Sequence, residues 1–291
     1  MTINKVMLLP AIRKVVVRKL KILSAYFNKL AMRLEKLDLL SKKEKEIILR
    51  NLRFKNCHSG KRAFVIVNGP SLKKQDLSFL KNDITFAVSG FWKHSIVNTW
   101  QPTYYSILDK DFFKIDDNTT TFWNNLKSNI SDSVFFLPLI RGYEWNLKNK
   151  MTPAEKTYYV ASSGDPKAEV DLTKLLQSFQ SVSALSLALA IYMGCSPIYL
   201  LGFDHDYLAH RGIDHHFYEG SVIPNHRNEK VPISEKSSYD EEMKSLTRLW
   251  ENYRCLDVVA KKKGIKIYNA TEGGYLDVFE CIKYNAIFNN N

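Results

Sequence analysis

The chain has 291 residues, 45% hydrophobic and 25% charged, with a formal net charge of +12. That apolar fraction excludes wholesale disorder, collagen and coiled-coil classes, and the length allows one large domain or one domain with an extension. No run approaches the ~18 apolar residues of an ordinary transmembrane helix. Four separated cysteines without a CxxC pair argue against a disulfide framework and for a reducing cytoplasm.

The positive charge is concentrated at the N-terminus. Residues 1–50 hold thirteen Lys/Arg against four acids, nine of the twelve net charges, so the rest of the chain is close to neutral. A general nucleic-acid surface on that remainder is therefore not indicated. Within the basic stretch, Val6, Leu9, Ile12, Val16, Leu20, Leu23, Phe27, Leu30 and Leu34 recur at three- and four-residue steps, the spacing of an amphipathic helix. No acid occurs before Glu35. A basic amphipathic arm over 1–55 fits an anionic membrane surface, which would place the protein at the inner face of the cytoplasmic membrane. The plainer reading is a helix packed on its own domain or on a partner subunit.

Asn56–Arg62 reads as a linker into a domain over 60–285. Ala63–Val67 is a short β-rich apolar run ended by Asn68-Gly69-Pro70-Ser71, and Leu72–Leu80 can form a helix capped by Ser71. Further strands are expected at Ile84–Val88, at Thr103–Leu108 (ending at Asp109) and at Val134–Leu139. Residues 141–175 carry no sustained period and read as a surface excursion or lid. Ser181–Met193 is small and apolar all round, as a helix buried on a sheet requires. Ile198–Leu201 is a strand running into Gly202-Phe203-Asp204, Tyr239–Lys263 a long amphipathic helix, and Ile265–Tyr268 a last strand. Continuous apolar strands alternating with helices predict an α/β, Rossmann-like, doubly wound and mostly parallel sheet.

In such a sheet, ligands bind beyond the carboxyl ends of the strands. The residues expected there are Asn68, Gly69, Pro70, Ser71, Ser89, Gly90, Asp109, Gly202, Asp204, His205 and Thr271, with Ser181 and Ser183 at the start of the buried helix. The turn at Gly69–Ser71 can offer backbone N–H groups to a phosphate, or serve only as a structural strand-to-helix turn. Asp109 and Asp204 can hold a ribose hydroxyl or a phosphate-bound Mg²⁺, or simply cap helices. Arg141 and Lys167 in the excursion are lesser candidates for phosphate. Five of the seven histidines (His205, His210, His215, His216, His226) fall within 22 residues, beside Asp204, Asp206 and Asp214. Their spacings match no closed metal site. Acid–base chemistry or phosphate contact by a histidine is the stronger reading.

Three blocks in order, AFVIVNGPSLKKQDLSFLKNDITFAVSG, QPTYYSILDKDF, and SALSLALAIYMGCSPIYLLGFDHDY followed by HHFYE, resemble the MptE-like (DUF115) domain family over roughly residues 60–220. That family includes an archaeal 6-hydroxymethyl-dihydropterin pyrophosphokinase and domains implicated in flagellin glycosylation. The same blocks are similar to Campylobacter-type sialyltransferases, which use CMP-sialic acid on a Rossmann-like fold. The resemblance implies that Asn68, Gly69 and Ser71 contact nucleotide, that Asp204 lies at the nucleotide cleft, and that His215 or His216 is the catalytic base. Val67 stands where these families often have Gly, and Ser89 where Asn is common.

The expected function is a glycosyltransferase passing a CMP-sialic-acid-like sugar to a glycan or glycolipid acceptor of a bacterial surface, with no cofactor required. The alternatives are a Mg²⁺-dependent pyrophosphokinase of the 6-hydroxymethylpterin type and a non-catalytic nucleotide- or sugar-binding module. A homo-oligomer is compatible with each.

Overall fold

A computed structural model describes residues 16, 17, 19–24, 27, 40–164, 169–210, 215–218 and 238–289. His226, Asp214, Lys167 and most of the N-terminal apolar positions lie outside the described residues. The chain divides into two compact units, Met1–Lys42 and Lys43–Asn291. Among the described residues, no helix is long and apolar enough to cross a membrane.

Among the described residues, the larger unit is built on one sheet of eight strands, all parallel. These are β1 (Ala63–Ile66), β2 (Ile84–Val88), β3 (Tyr104–Ser106), β4 (Val134–Pro138), β5 (Thr157–Val160), β6 (Ile198–Leu201), β7 (Ile267–Asn269) and β8 (Glu280–Cys281). Their spatial order is β5-β4-β3-β2-β1-β6-β7-β8. The chain steps outward from β1 in one direction as far as β5, then crosses back to place β6 on the other side of β1. The sheet is thus doubly wound, as the alternation of elements predicts.

All four β1 residues are fully buried, because the sheet is covered on both faces. One face packs against α4 (Val182–Tyr192), which follows α1 (Lys42–Leu49), α2 (Asp117–Asn129) and α3 (Leu139–Asn149) in the chain. Every residue of α4 from Ser183 onward is buried, and α5 (Tyr239–Lys262) lies over it. The long α5 begins with a capping box between Ser238 and Glu241. Short 3₁₀ helices and aromatic side chains feature on the second face, where Phe64 stacks on Tyr199 and Phe288, and Tyr199 on Tyr268.

Four sequence readings need correction. The 141–175 stretch is not a lid: α3 fills part of it, and Thr157–Val160 is the buried edge strand β5 paired to β4. The Asn56–Arg62 stretch is not a free linker, since the N–H groups of Asn56, His58 and Gly60 donate to the carbonyls of Tyr192, Met193 and Gly194 at the end of α4. Residues 43–55 belong with the larger unit, where Ile48, Asn51 and Phe54 are buried and the Asn51 amide donates to the carbonyls of Tyr159 and Leu172. Between β1 and β2, two 3₁₀ helices, Pro70–Lys74 and Leu77–Leu80, replace a single α-helix.

Candidate active site at the strand switch point

In an open parallel sheet the crevice for a ligand forms where two neighbouring strands send their connections to opposite sides. Here that point is the carboxyl end of β1 and β6. The two chains leave it bonded together: Val67 N donates to Leu201 O at 2.9 Å and Gly69 N to Gly202 O at 3.0 Å. This approach demands glycine at 69, because a Cβ there would overlap the Asp204 carboxylate and the Gly202 carbonyl.

Asp204 crosses the crevice. Its Oδ1 accepts the Ser71 N–H at 3.0 Å and its Oδ2 the Ser71 hydroxyl at 2.7 Å. The anion at the Gly69–Ser71 turn is therefore the chain's own carboxylate. Tyr275 N donates to the Asp204 backbone carbonyl at 2.8 Å, closing the far side. Burial is the main influence on the Asp204 carboxyl and raises its pKa; the Ser71 bonds act against it and nearby Asp206 adds to it.

Asn68 is the polar residue at the tip of β1 with capacity to spare. It is buried, and its Nδ2 donates to Val88 O at 3.3 Å. Its backbone carbonyl accepts the Phe217 N–H at 2.8 Å, while its Oδ1 is buried with no partner among the described residues. The Phe217 bond docks residues 215–218 on the strand tip and carries both candidate histidines to the switch point. Tyr218 lies against Gly90, where a Cβ would overlap the Tyr218 hydroxyl. His216 stacks on the Tyr218 ring at 4.9 Å, and the Lys93 ammonium stands 4.5 Å from the centre of that ring. His215 faces a different neighbour: its Nδ1 is 3.9 Å from one Asp206 oxygen, whose other oxygen is 3.2 Å from His210 Nδ1.

Ser89 and His205, following β2 and β6, hold φ of 43° and 48°, a left-handed conformation costly for residues with a side chain. Ser89 is held by its carbonyl, which accepts the Tyr105 hydroxyl at 2.7 Å. His205 is held by a chain of hydroxyls. Its Nε2 lies 2.8 Å from the Tyr253 hydroxyl, which lies 2.7 Å from Ser183 Oγ, which donates to Ser181 Oγ at 2.9 Å. Because Ser183 spends its proton on Ser181, Tyr253 must donate to Ser183, and His205 must then donate from Nε2. Burial raises the Tyr253 pKa far enough to keep its phenol protonated. In the sequence Ser181, Ser183 and His205 stand out separately, whereas Tyr253 does not, its spacing from Leu249 and Leu256 marking only a core aromatic.

The remaining residues are more peripheral. Pro70 opens the 3₁₀ turn. Thr271 accepts the Phe203 N–H at 3.0 Å and so braces the β6 loop. Asp109 is exposed and caps the Lys110–Phe113 turn through Asp111 N. In the sheet, β2 and β1 stand between β3 and β6, so Asp109 and Asp204 follow strands that are not neighbours. Among the described residues, no group of three or more His, Cys, Asp or Glu is arranged to hold a metal ion.

Two solved structures to which the chain is similar are sialyltransferases. One is the sialyltransferase CstII from Campylobacter jejuni in complex with a substrate analogue, CMP-3FNeuAc, at TM-score 0.44. The other is the sialyltransferase CST-II in complex with trisaccharide acceptor and CMP, at TM-score 0.41. Each is 15% identical, over 76% of this chain and 86% of the other. No curated protein matches the sequence. The model of one family, described as 6-hydroxymethylpterin diphosphokinase MptE-like, matches residues 34–210, more than half of the chain. The protein therefore belongs to the MptE-like family.

Proposed function

We propose that the protein is a glycosyltransferase that takes a nucleotide-activated sugar, a CMP-linked acidic sugar being the favoured donor, and passes it to a hydroxyl of a surface glycan or glycolipid. The observation that carries the reading is Asn68: a buried amide whose Oδ1 has no partner among the described residues, at the switch point and beside a docked segment that delivers two histidines, a tyrosine and, through Lys93, a cation. A buried carbonyl acceptor without a donor costs stability unless a ligand hydroxyl or amino group fills it, as the ribose or base of a nucleoside does.

In the proposed reaction His215 removes the proton of the acceptor hydroxyl. Asp206, 3.9 Å from its Nδ1, stabilises the imidazolium that forms. The acceptor oxygen bonds to the anomeric carbon, the bond from that carbon to the phosphate oxygen breaks, and the nucleotide leaves with the electron pair. Lys93, aided by His216, offsets the charge growing on that phosphate. A sugar that ionises readily needs no metal in this scheme. The family description favours a second reading, transfer of diphosphate from ATP to a pterin-like alcohol. It would require Mg²⁺, for which Asp109 and Asp204 are the carboxylates the sequence offers.

Thermal melts separate the readings. CMP or CDP at about 100 times its dissociation constant, in EDTA, is expected to stabilise the protein by about 2.7 kcal/mol, a rise of roughly 5–10 °C. Asn68→Ala is expected to abolish the shift. A response confined to ATP and lost with EDTA would replace this reading with the diphosphokinase; no response to either would replace it with a site that does not bind nucleotide.

A further inference from the structure

We propose that the N-terminal unit is a reversible anchor for anionic lipid bilayers, working independently of the nucleotide site. Three observations converge. Residues 16, 17, 19–24 and 27 are helical, and Val16, Leu20 and Leu23 fall at steps of four and three, which puts them on one face. They are 48%, 58% and 51% exposed, although burial is the usual state of such side chains. Phe27, four residues further, continues the spacing. Lys19 and Lys21 are exposed on the same helix, as are Val17 and Ile22.

The choice of occupant follows from charge. The first 50 residues carry thirteen Lys/Arg against four acids, and the first acid is Glu35. An apolar stripe covered by a second copy of the same arm would bring two such cationic surfaces together, and a neutral protein surface would leave the charge unused. A bilayer with acidic headgroups satisfies both faces at once: the leucines enter the acyl boundary and the lysines meet phosphate. One short helix gives weak binding by either signal alone, so charge and apolar contact must act together, and the attachment is sensitive to salt. For an enzyme extending a lipid-held glycan, such attachment would confine it to the surface that carries its acceptor.

The test uses the full chain and vesicles of phosphatidylcholine with or without phosphatidylglycerol. Sedimentation with the phosphatidylglycerol vesicles is expected, with little on phosphatidylcholine alone and release in about 1 M NaCl, where the Debye length is about 3 Å. Lys19→Gln with Lys21→Gln is expected to weaken binding by about tenfold or more, each charge being worth roughly fivefold. Leu20→Ser with Leu23→Ser is expected to release the protein. Neither pair lies in the larger unit, so its cooperative melt should stay unchanged and report an intact fold. Equal binding to both vesicle types, no binding to either, or light scattering that shows a lipid-free oligomer dissolved by the leucine pair would each overturn the proposal.

Discussion

Replacing Asp204 tests how the switch point is held together. Asp204 and Ser71 are 7% and 3% exposed, and the carboxylate accepts both the Ser71 N–H and its hydroxyl. Asp204→Ala strands two buried donors at about 1–3 kcal/mol each. Removing a charge that burial disfavours offsets part of this, leaving a net loss of about 2–4 kcal/mol, or roughly 5–15 °C in melting temperature for a unit of this size. Asp204→Asn keeps the shape: its carbonyl accepts the Ser71 N–H and its amide donates to the Ser71 hydroxyl, so stability at pH 7 should stay within about 1 kcal/mol of wild type. The two variants also differ in pH response. Burial raises the Asp204 pKa above its ordinary 3.8, so between the two values the folded state holds the proton more tightly than the unfolded chain. Stability from this group therefore falls as pH rises through the folded pKa. The wild type should gain on the Asn variant as pH is lowered from 7 towards 4. Urea unfolding of the three proteins across that range is the assay. An Ala variant as stable as wild type, or a constant gap between wild type and Asn, would refute the reasoning.

Two further substitutions probe the site around it. Gly90→Ala places a methyl group against the end of the Tyr218 ring, a side chain that can swing aside. The melting temperature should move by less than about 3 °C while the nucleotide-induced shift falls by at least about half; an undiminished shift would show that the Tyr218 segment does not border the ligand. Tyr253→Phe removes the hydroxyl between His205 and Ser183, which should cost about 1–2 kcal/mol and turn His205 from a single Nε2–H tautomer into a mixture, read by ¹⁵N NMR. Retention of the single tautomer would show that another contact fixes the ring.

Much of the architecture is legible along the chain because it depends on local signals. Apolar runs such as Ala63–Val67 and Ile198–Leu201 mark strands buried on both faces, and the small-residue run of α4 marks the helix between sheet and α5. Local signals fail where segments are short. β5 is four residues beside Pro153 and Lys156, β8 is two residues, and Pro70 with its polar followers supports a 3₁₀ turn where a helix was expected. Strand ends were also legible, which is why Asn68, Ser71, Ser89, Asp204 and His205 could be singled out.

Sequence alone determined which residues stand at strand tips, and that the charge lies in the first 50 residues. Only the tertiary structure decided which tips meet. Asp204 reaches Ser71 across 133 residues because β6 crosses back to lie beside β1, whereas Asp109, also following a strand, is set aside by the order β3-β2-β1-β6. The same crossing puts Asn68 beneath the docked Phe217 and joins His205 to Tyr253. Local propensity depends on neighbours in the chain, but a site depends on neighbours in space, and strand order is set by burial of the whole sheet.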